Sequence, residues 1–192
     1  MDIATEKREI VDIYSANGQR RGTADRSTVH KNAMIHRTVR VWLVHGSAAY
    51  FQRRSKSKPL FPGRRDPCAT GHAGAGEDPL DAALREFHEE TGTEIRPDDL
   101  VLAGLLPMPF RRPEGTIDDE LAWIYVYSPD AMPELRATDE TDGFEAVPLE
   151  EYRAMLDGKG CTHKAADFCS PDPVEFGMVI RAIGRIAAEV SG

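Results

Sequence analysis

The stretch that most limits the folds open to this chain runs from Gly71 to Thr93. Its pattern predicts a glycine-rich loop, a helix carrying a carboxylate cluster, and a glycine stop. Pro79 suits the first helical turn, where a missing N–H costs nothing. Glu77 and Asp78 fall at the positive end of the helix dipole. Gly92 suits the left-handed conformation that commonly ends a helix. Leu80, Ala83, Leu84 and Phe87 recur at helical spacing as an apolar stripe. Glu86, Glu89 and Glu90 lie three and four residues apart, so they share a second face. The small Ala82 is expected among them, leaving room. Carboxylates so close repel one another, and a hard divalent cation such as Mg2+ or Mn2+ relieves that repulsion and accepts their oxygens. Arg85, at i,i+4 from Glu89, can hold one of them in place. The plainer alternative is a solvated acidic face with a surface salt bridge, which is what most charge runs are.

Composition narrows the classes further. A chain of 192 residues fits one domain with a real core. A net charge of −8 argues against a protein that coats nucleic acid, which would be basic. It leaves room for a phosphorylated small molecule, because local cations and metal override the global field. Cys68, Cys161 and Cys169 are scattered and odd in number, so a reducing cytoplasm is expected rather than a disulfide framework. No run approaches membrane-spanning length, and no membrane partner is expected.

In chain order, Glu9 to Tyr14 reads as a strand and Asn17-Gly18 as a turn into a return strand. Ser27 is a candidate cap for a short helix through His30. Arg37 to His45 reads as a central strand and Ala48 to Arg53 as its return. Ser55 to Pro67 reads as a loop set by Pro59, Pro62, Gly63 and Pro67. Leu100 to Leu106 and Leu121 to Tyr127 read as strands, with Pro107 to Asp119 a long polar loop between them that shapes a binding pocket. Gly143 to Val147 reads as a short strand, and a helix follows from Pro148 to Leu156. Phe176, Val179, Ile180, Ile183 and Ala187 predict a closing amphipathic helix within 173–192. The pattern fits an α/β (α+β) fold with a mixed sheet between helices. Residues 1–192 are expected to form a single domain, with 1–36 an N-terminal strand-and-turn extension.

The residues of the central stretch carry a resemblance. A glycine, five residues, Glu, seven residues, then Arg-Glu-apolar-any-Glu-Glu-any-Gly is matched by Gly71, Glu77, Arg85, Glu86, Phe87, Glu89, Glu90 and Gly92. This resembles the Nudix box; Thr93 departs, standing where the pattern has an apolar residue. The resemblance implies an α/β/α sandwich and metal-dependent hydrolysis of a diphosphate linkage, typically in a nucleoside diphosphate joined to another group. It implies Glu86, Glu89 and Glu90 as ligands of Mg2+ or Mn2+, one of them also serving as base. It further implies Arg85 as the residue orienting them, and Gly71 and Glu77 as the loop supporting them or a second ion. Some relatives place the base in a later loop, where Glu140 is the candidate. Many relatives are homodimers.

A second likeness covers Glu9 to Glu90. The Asn-Gly turn, His30, His36, the Trp42 strand, Gln52-Arg53-Arg54-Ser55, Lys58, Phe61-Pro62-Gly63 and Gly71-His72 are similar to the isopentenyl-diphosphate isomerase-like branch. That likeness implies Arg54 and Lys58 as a clamp on a substrate diphosphate, a guanidinium fork beside an ammonium point charge. It also implies a second metal site: His30, His36 and His72 fall near three ligand histidines, and Asp118 and Glu120 near two ligand glutamates. One departure concerns the isomerase chemistry itself. The isomerase has a proton-transferring cysteine just before the Gly-His pair, where this chain has Thr70; Cys68 stands two residues earlier. A hydroxyl is a far weaker acid and base near neutral pH than a thiol. Three readings follow: a diphosphate hydrolase, an isomerase, and a non-catalytic diphosphate-binding module. The intact glutamate set favours the first. Cys161, His163, Asp167 and Cys169 fit no standard zinc spacing.

Overall fold

The structure is a computed structural model and describes residues 9–112 and 115–190. Its strands are β1 (Ile10–Tyr14), β2 (Arg20–Asp25), β3 (Ile35–His45), β4 (Ala48–Arg54), β5 (Arg65–Pro67), β6 (Ala69–His72), β7 (Leu100–Arg111), β8 (Ile117–Tyr127) and β9 (Thr141–Pro148). Its helices are α1 (Arg26–Lys31), α2 (Pro79–Thr91), α3 (Leu149–Leu156) and α4 (Pro173–Val190).

The sheet is assembled on β3, whose run of β-branched and aromatic residues suits a strand buried on both faces. One edge of β3 pairs in parallel with β8 from His36 to Leu43. Its other edge takes three antiparallel partners in succession: β1 at His36, β6 from Thr38 to Val41, and β4 from Leu43 to His45. β8 continues to β7, β4 continues to β5 and β9, and β1 continues to β2. The pleat then sorts side chains onto two faces. Val39, Val41 and Leu43 point to one side and pack with Cys68, Ala69, Ala83 and Phe87 under α2. Trp42 and Val44 point to the other and pack with Phe51, Ile124 and Val126, covered by Tyr152 and Met155 of α3 and Phe176 and Val179 of α4. Helices therefore cover both faces of a mixed sheet, the expected α/β/α sandwich.

α2 ends as its sequence predicts. Pro79 is in the first turn, Asp78 accepts a hydrogen bond from Leu80 N at 2.8 Å, and Gly92 takes φ 69°. Three expectations are corrected. Asp25, not Ser27, caps α1, because its carboxylate accepts from Thr28 N as well as from both neighbouring hydroxyls. Gly71 belongs to strand β6 and not to a loop, and the 55–67 segment ends in strand β5. The long loop assigned to Pro107–Asp119 is a hairpin, β7 and β8 pairing as far as Arg111↔Ile117. Pro107 and Pro109 are tolerated there because, among the described residues, β7 pairs with β8 alone, so its other edge needs no N–H.

One buried polar knot ties α4 to β3. Arg40 Nε and Trp42 Nε1 both donate to Glu175 Oε1, at 2.8 and 2.7 Å, and Arg40 Nη2 also reaches Asp66 Oδ1 at 3.4 Å. Burial disfavours the Arg40 cation, but the carboxylates of Glu175 and Asp66 outweigh it and raise its pKa. Removing one partner of a buried pair strands the other. Glu175→Ala is expected to cost about 3–5 kcal/mol in urea unfolding, and Glu175→Gln, which still accepts from Trp42, a smaller amount.

Candidate functional site

The carboxylate face of α2 rests against β6. A Cβ built on Gly71 would lie 2.0 Å from Glu86 Cδ, so only glycine lets that carboxylate approach the strand backbone. Arg85 fixes the arrangement. Its Nε and Nη2 fork onto Glu77 at 2.9 and 3.0 Å, Nη1 donates to Glu86 Oε1 at 2.7 Å, and Nη2 donates to the His72 carbonyl at 2.9 Å. The expected i,i+4 contact to Glu89 is present but longer, 3.4 Å. Glu77 in turn accepts from Gly74 N at 2.6 Å, tying the loop before α2 to the helix. Glu90 is buried and accepts from Thr70 N at 2.8 Å and from Gln52 Nε2 at 2.7 Å. Glu89 is the exposed member, with 57% of its side-chain surface open.

The electrostatics match a site waiting for a cation. Burial raises the Glu86 pKa to about 7, against the pull of Arg85. Burial raises Glu90 well above the carboxylate range, with Glu86, Asp66 and Glu140 adding repulsion and the Thr70 N–H opposing. Burial also works to raise Glu77, but the Arg85 fork and Gly74 N–H overcome it and hold it low. A divalent ion would reverse the balance at Glu86 and Glu90.

Beside this face, three histidines converge. His30, His36 and His72 bring ring nitrogens within 4.8 Å of one another, and a His36 ring nitrogen lies equally close to carboxylate oxygens of Asp118 and Glu120. The His36 and His72 rings stack, with centroids 5.1 Å apart. His36 Nδ1 lies 3.0 Å from the Met34 carbonyl, which puts its proton there and leaves the Nε2 lone pair facing inward. Burial lowers the pKa of all three, His30 to about 4, so each imidazole is neutral and ligand-competent at neutral pH. Glu120 is raised to about 7 by burial and by Asp118. His36 Nε2 and Asp118 Oδ1 are buried 3.6 Å apart and neither has a hydrogen-bond partner. A metal ion would satisfy both, so these residues fit one. His30 of α1 reaches His36 of β3, their ring centroids 5.3 Å apart.

Both groups line one cleft of about 1060 Å³, His72, Asp118 and Glu120 on one side and Glu86, Glu89 and Glu90 on the other. Arg54 and Lys58 line it as well, and so do Phe61, Phe110 and Arg112. Arg54 lies 3.6 Å from Asp66, and Lys58 Nζ is paired with Glu140 Oε1 at 2.9 Å. Thr70 lines the cleft, whereas Cys68 is buried in the core under α2, where burial raises its thiol pKa. Cys161, His163, Asp167 and Cys169 do not converge; His163 instead sits between Glu145 and Glu151, 3.3 and 3.1 Å away. Sequence reading missed the roles of Gln52, Asp66 and Arg112. Each acts by reaching a residue distant in sequence or across a strand pair, and no local spacing signals that.

Fold and site together define a class. The sequence matches the family model described as NUDIX domain over residues 34–165, and the chain belongs to that family. Its similarity to particular members is more distant. It is 30% identical over 157 residues to an uncharacterised Nudix hydrolase of Clostridium acetobutylicum, covering 79% of this chain and 75% of the relative. It is 33% identical over 162 residues to the isopentenyl-diphosphate Delta-isomerase of Leifsonia xyli, covering 82% and 85%. The chain spans half or less of the length of three other curated relatives. A solved structure from Deinococcus radiodurans shares the fold, with a TM-score of 0.57 at 24% identity over 91% of this chain and 99% of that one.

The raised pKa of Glu86 has a stability consequence. Its folded value, about 7, exceeds the ordinary 4.5, so the folded state binds the extra proton and stability falls as pH rises between those values. In chelator, Glu86→Gln is expected to match wild type in denaturant unfolding near pH 4.5. It should gain on wild type by up to about 1.4 kcal/mol per pH unit toward pH 7. Added Mg2+ or Mn2+ should stabilise wild type and not the variant.

Proposed function

We propose that the protein is a metal-dependent Nudix hydrolase that cleaves a diphosphate linkage in a small molecule. The observation that carries this reading is the complete set of Glu86, Glu89 and Glu90, with Glu86 seated on Gly71, Arg85 reaching Glu86 and Glu89, and Thr70 and Gln52 holding Glu90. A binding module has no need of carboxylates held at such electrostatic cost. In this reading Glu86, Glu89 and Glu90 hold Mg2+ or Mn2+, with Glu77 and Gly71 supporting them. The bound ion supplies charge neutralisation at the phosphoryl oxygens and acidifies water. Arg85 keeps Glu86 pointed into the cleft and its charge in place. Arg54 and Lys58 hold the diphosphate, and capture of Lys58 by phosphate frees Glu140 to take the proton of the attacking water. His30, His36, His72, Asp118 and Glu120 form a second metal site. The described residues act as a single domain. Among them no helix is long and apolar enough to cross a membrane.

The test is a phosphate-release screen of nucleoside diphosphate derivatives, dinucleotides and isoprenoid diphosphates with Mg2+ or Mn2+. Glu89→Gln is expected to lower turnover more than about tenfold, equivalent to about 1.4 kcal/mol of transition-state stabilisation. Wild-type rates in Glu86→Gln, Glu89→Gln and Glu90→Gln alike would refute the assignment.

A second reading, isopentenyl-diphosphate isomerase, is favoured by the convergence of the three histidines with Asp118 and Glu120. Against it, Thr70 stands in the cleft where a thiol is required, and Cys68 is enclosed in the core under α2 and does not line the cleft. Incubation with isopentenyl diphosphate in D2O is therefore expected to leave the substrate unlabelled by mass spectrometry. Incorporation at an enzymatic rate would promote the isomerase reading.

A further inference from the structure

Arg112 stands at the turn between β7 and β8, its N–H donating to Thr116 O at 2.8 Å and its carbonyl accepting from Gly115 N at 2.9 Å. From there the side chain turns back across the cleft wall and passes over the Phe110 ring, 5.9 Å from its centroid. Nε donates to Asp118 Oδ2 at 2.9 Å, and Nη2 donates to the same oxygen. The pair is nearly dry, with side-chain exposures of 14% and 2%. Both donors thus use the outer oxygen of Asp118. The inner oxygen, Oδ1, faces the lone pair of His36 Nε2 at 3.6 Å with no proton between them and no other partner. His30 Nε2 is 3.7 Å from the outer oxygen, and His30 and His72 touch through their Nε2 atoms at 3.3 Å. Arg112 is therefore already docked as a cation on the one aspartate that the histidine cage offers to a metal.

We infer that Arg112 is a competing cation that sets the metal affinity of the His30–His36–His72–Asp118–Glu120 cage. This rests on the reading of that cage as a metal site and is independent of the α2 glutamates. Two physical effects act in the same direction. Arg112 draws charge from Asp118 through two charge-assisted hydrogen bonds, which makes the carboxylate a poorer ligand. Its guanidinium also places a positive charge beside the ion in a poorly screened setting, where unit charges a few ångströms apart interact strongly. The arrangement links the cage to the cleft, because Arg112 lines the cleft together with Arg54 and Lys58. A diphosphate that recruits Arg112 releases Asp118 to the metal, and by reciprocity a metal held on Asp118 releases Arg112 to the diphosphate.

The test uses the full chain, stripped with chelator, and Co2+ as the probe. Visible absorption of nitrogen-ligated Co2+ and calorimetric titration report affinity without any turnover. Arg112→Met keeps the packing over Phe110 and removes the charge; it is expected to bind Co2+ in the cage about tenfold tighter or more, as the loss of a close positive charge requires. Arg112→Lys, which retains the charge, should stay close to wild type. Co2+ should also raise the melting temperature of Arg112→Met by more than it raises that of wild type. His36→Ala should abolish the absorption band. Equal or weaker Co2+ binding by Arg112→Met, with the band still dependent on His36, would overturn the role of Arg112 alone. No band in any variant, or a band that survives His36→Ala, would overturn the cage itself and the inference with it. Either result leaves the hydrolase reading to stand or fall on the glutamate variants.

Discussion

The close approach of Glu86 to the backbone of Gly71 is the contact on which the rest of the site depends. It sets how far α2 can settle onto β6, and hence where Glu89 and Glu90 project. Any side chain at position 71 would occupy the carboxylate's place. Arg85 makes the contact tolerable by answering Glu86, Glu77 and the His72 carbonyl with one guanidinium. Its planar fork spans strand, loop and helix at once, which a lysine point charge could not do. The helix is thereby locked to the strand at the point where the chemistry is needed.

This lock holds charge in unfavourable surroundings. Glu86, Glu90 and Glu120 are all raised by burial, and His30, His36 and His72 are all lowered by it. The shifts have opposite directions but one meaning: burial pushes each group toward its uncharged form. Such a cost in local stability is common at functional sites. The core on either side of the sheet supplies the compensation, with Trp42 packed edge to face on Phe51 and Tyr152, and Tyr152 tilted against Phe176 of α4.

Two chemistries meet on one short strand. β6 carries Thr70, Gly71 and His72 in succession: Thr70 N–H holds Glu90, Gly71 seats Glu86, and His72 turns into the histidine cage. The glutamate helix and the histidine cluster therefore share one cleft, and the proposed hydrolase reading and its isomerase alternative both draw on it. What separates them is local, since a thiol at position 70 would face the cleft and the thiol at position 68 faces the core.

The sequence by itself determined what depends on near neighbours. The cap, the first-turn proline, the carboxylate spacing and the terminal glycine of α2 all act within a few residues, so their pattern is readable. The run of β-branched and aromatic residues from Arg37 to His45 likewise declared a central strand. Apart from the α1 cap, where Asp25 and not Ser27 takes the role within two residues, the misreadings turned on partners far along the chain. Pro107 and Pro109 looked like loop residues because a strand's tolerance of proline depends on its being at a sheet edge, which pairing alone decides. Asp118 was singled out as a candidate ligand by the family likeness alone; the β3–β8 register set it beside His36, and the hairpin turn brought onto it an Arg112 that no local spacing signals. Glu140 gained its lysine only because Ser55 N–H bonds its carbonyl and holds two distant loops together. Local spacing fixed which groups could act, and strand pairing decided which of them meet.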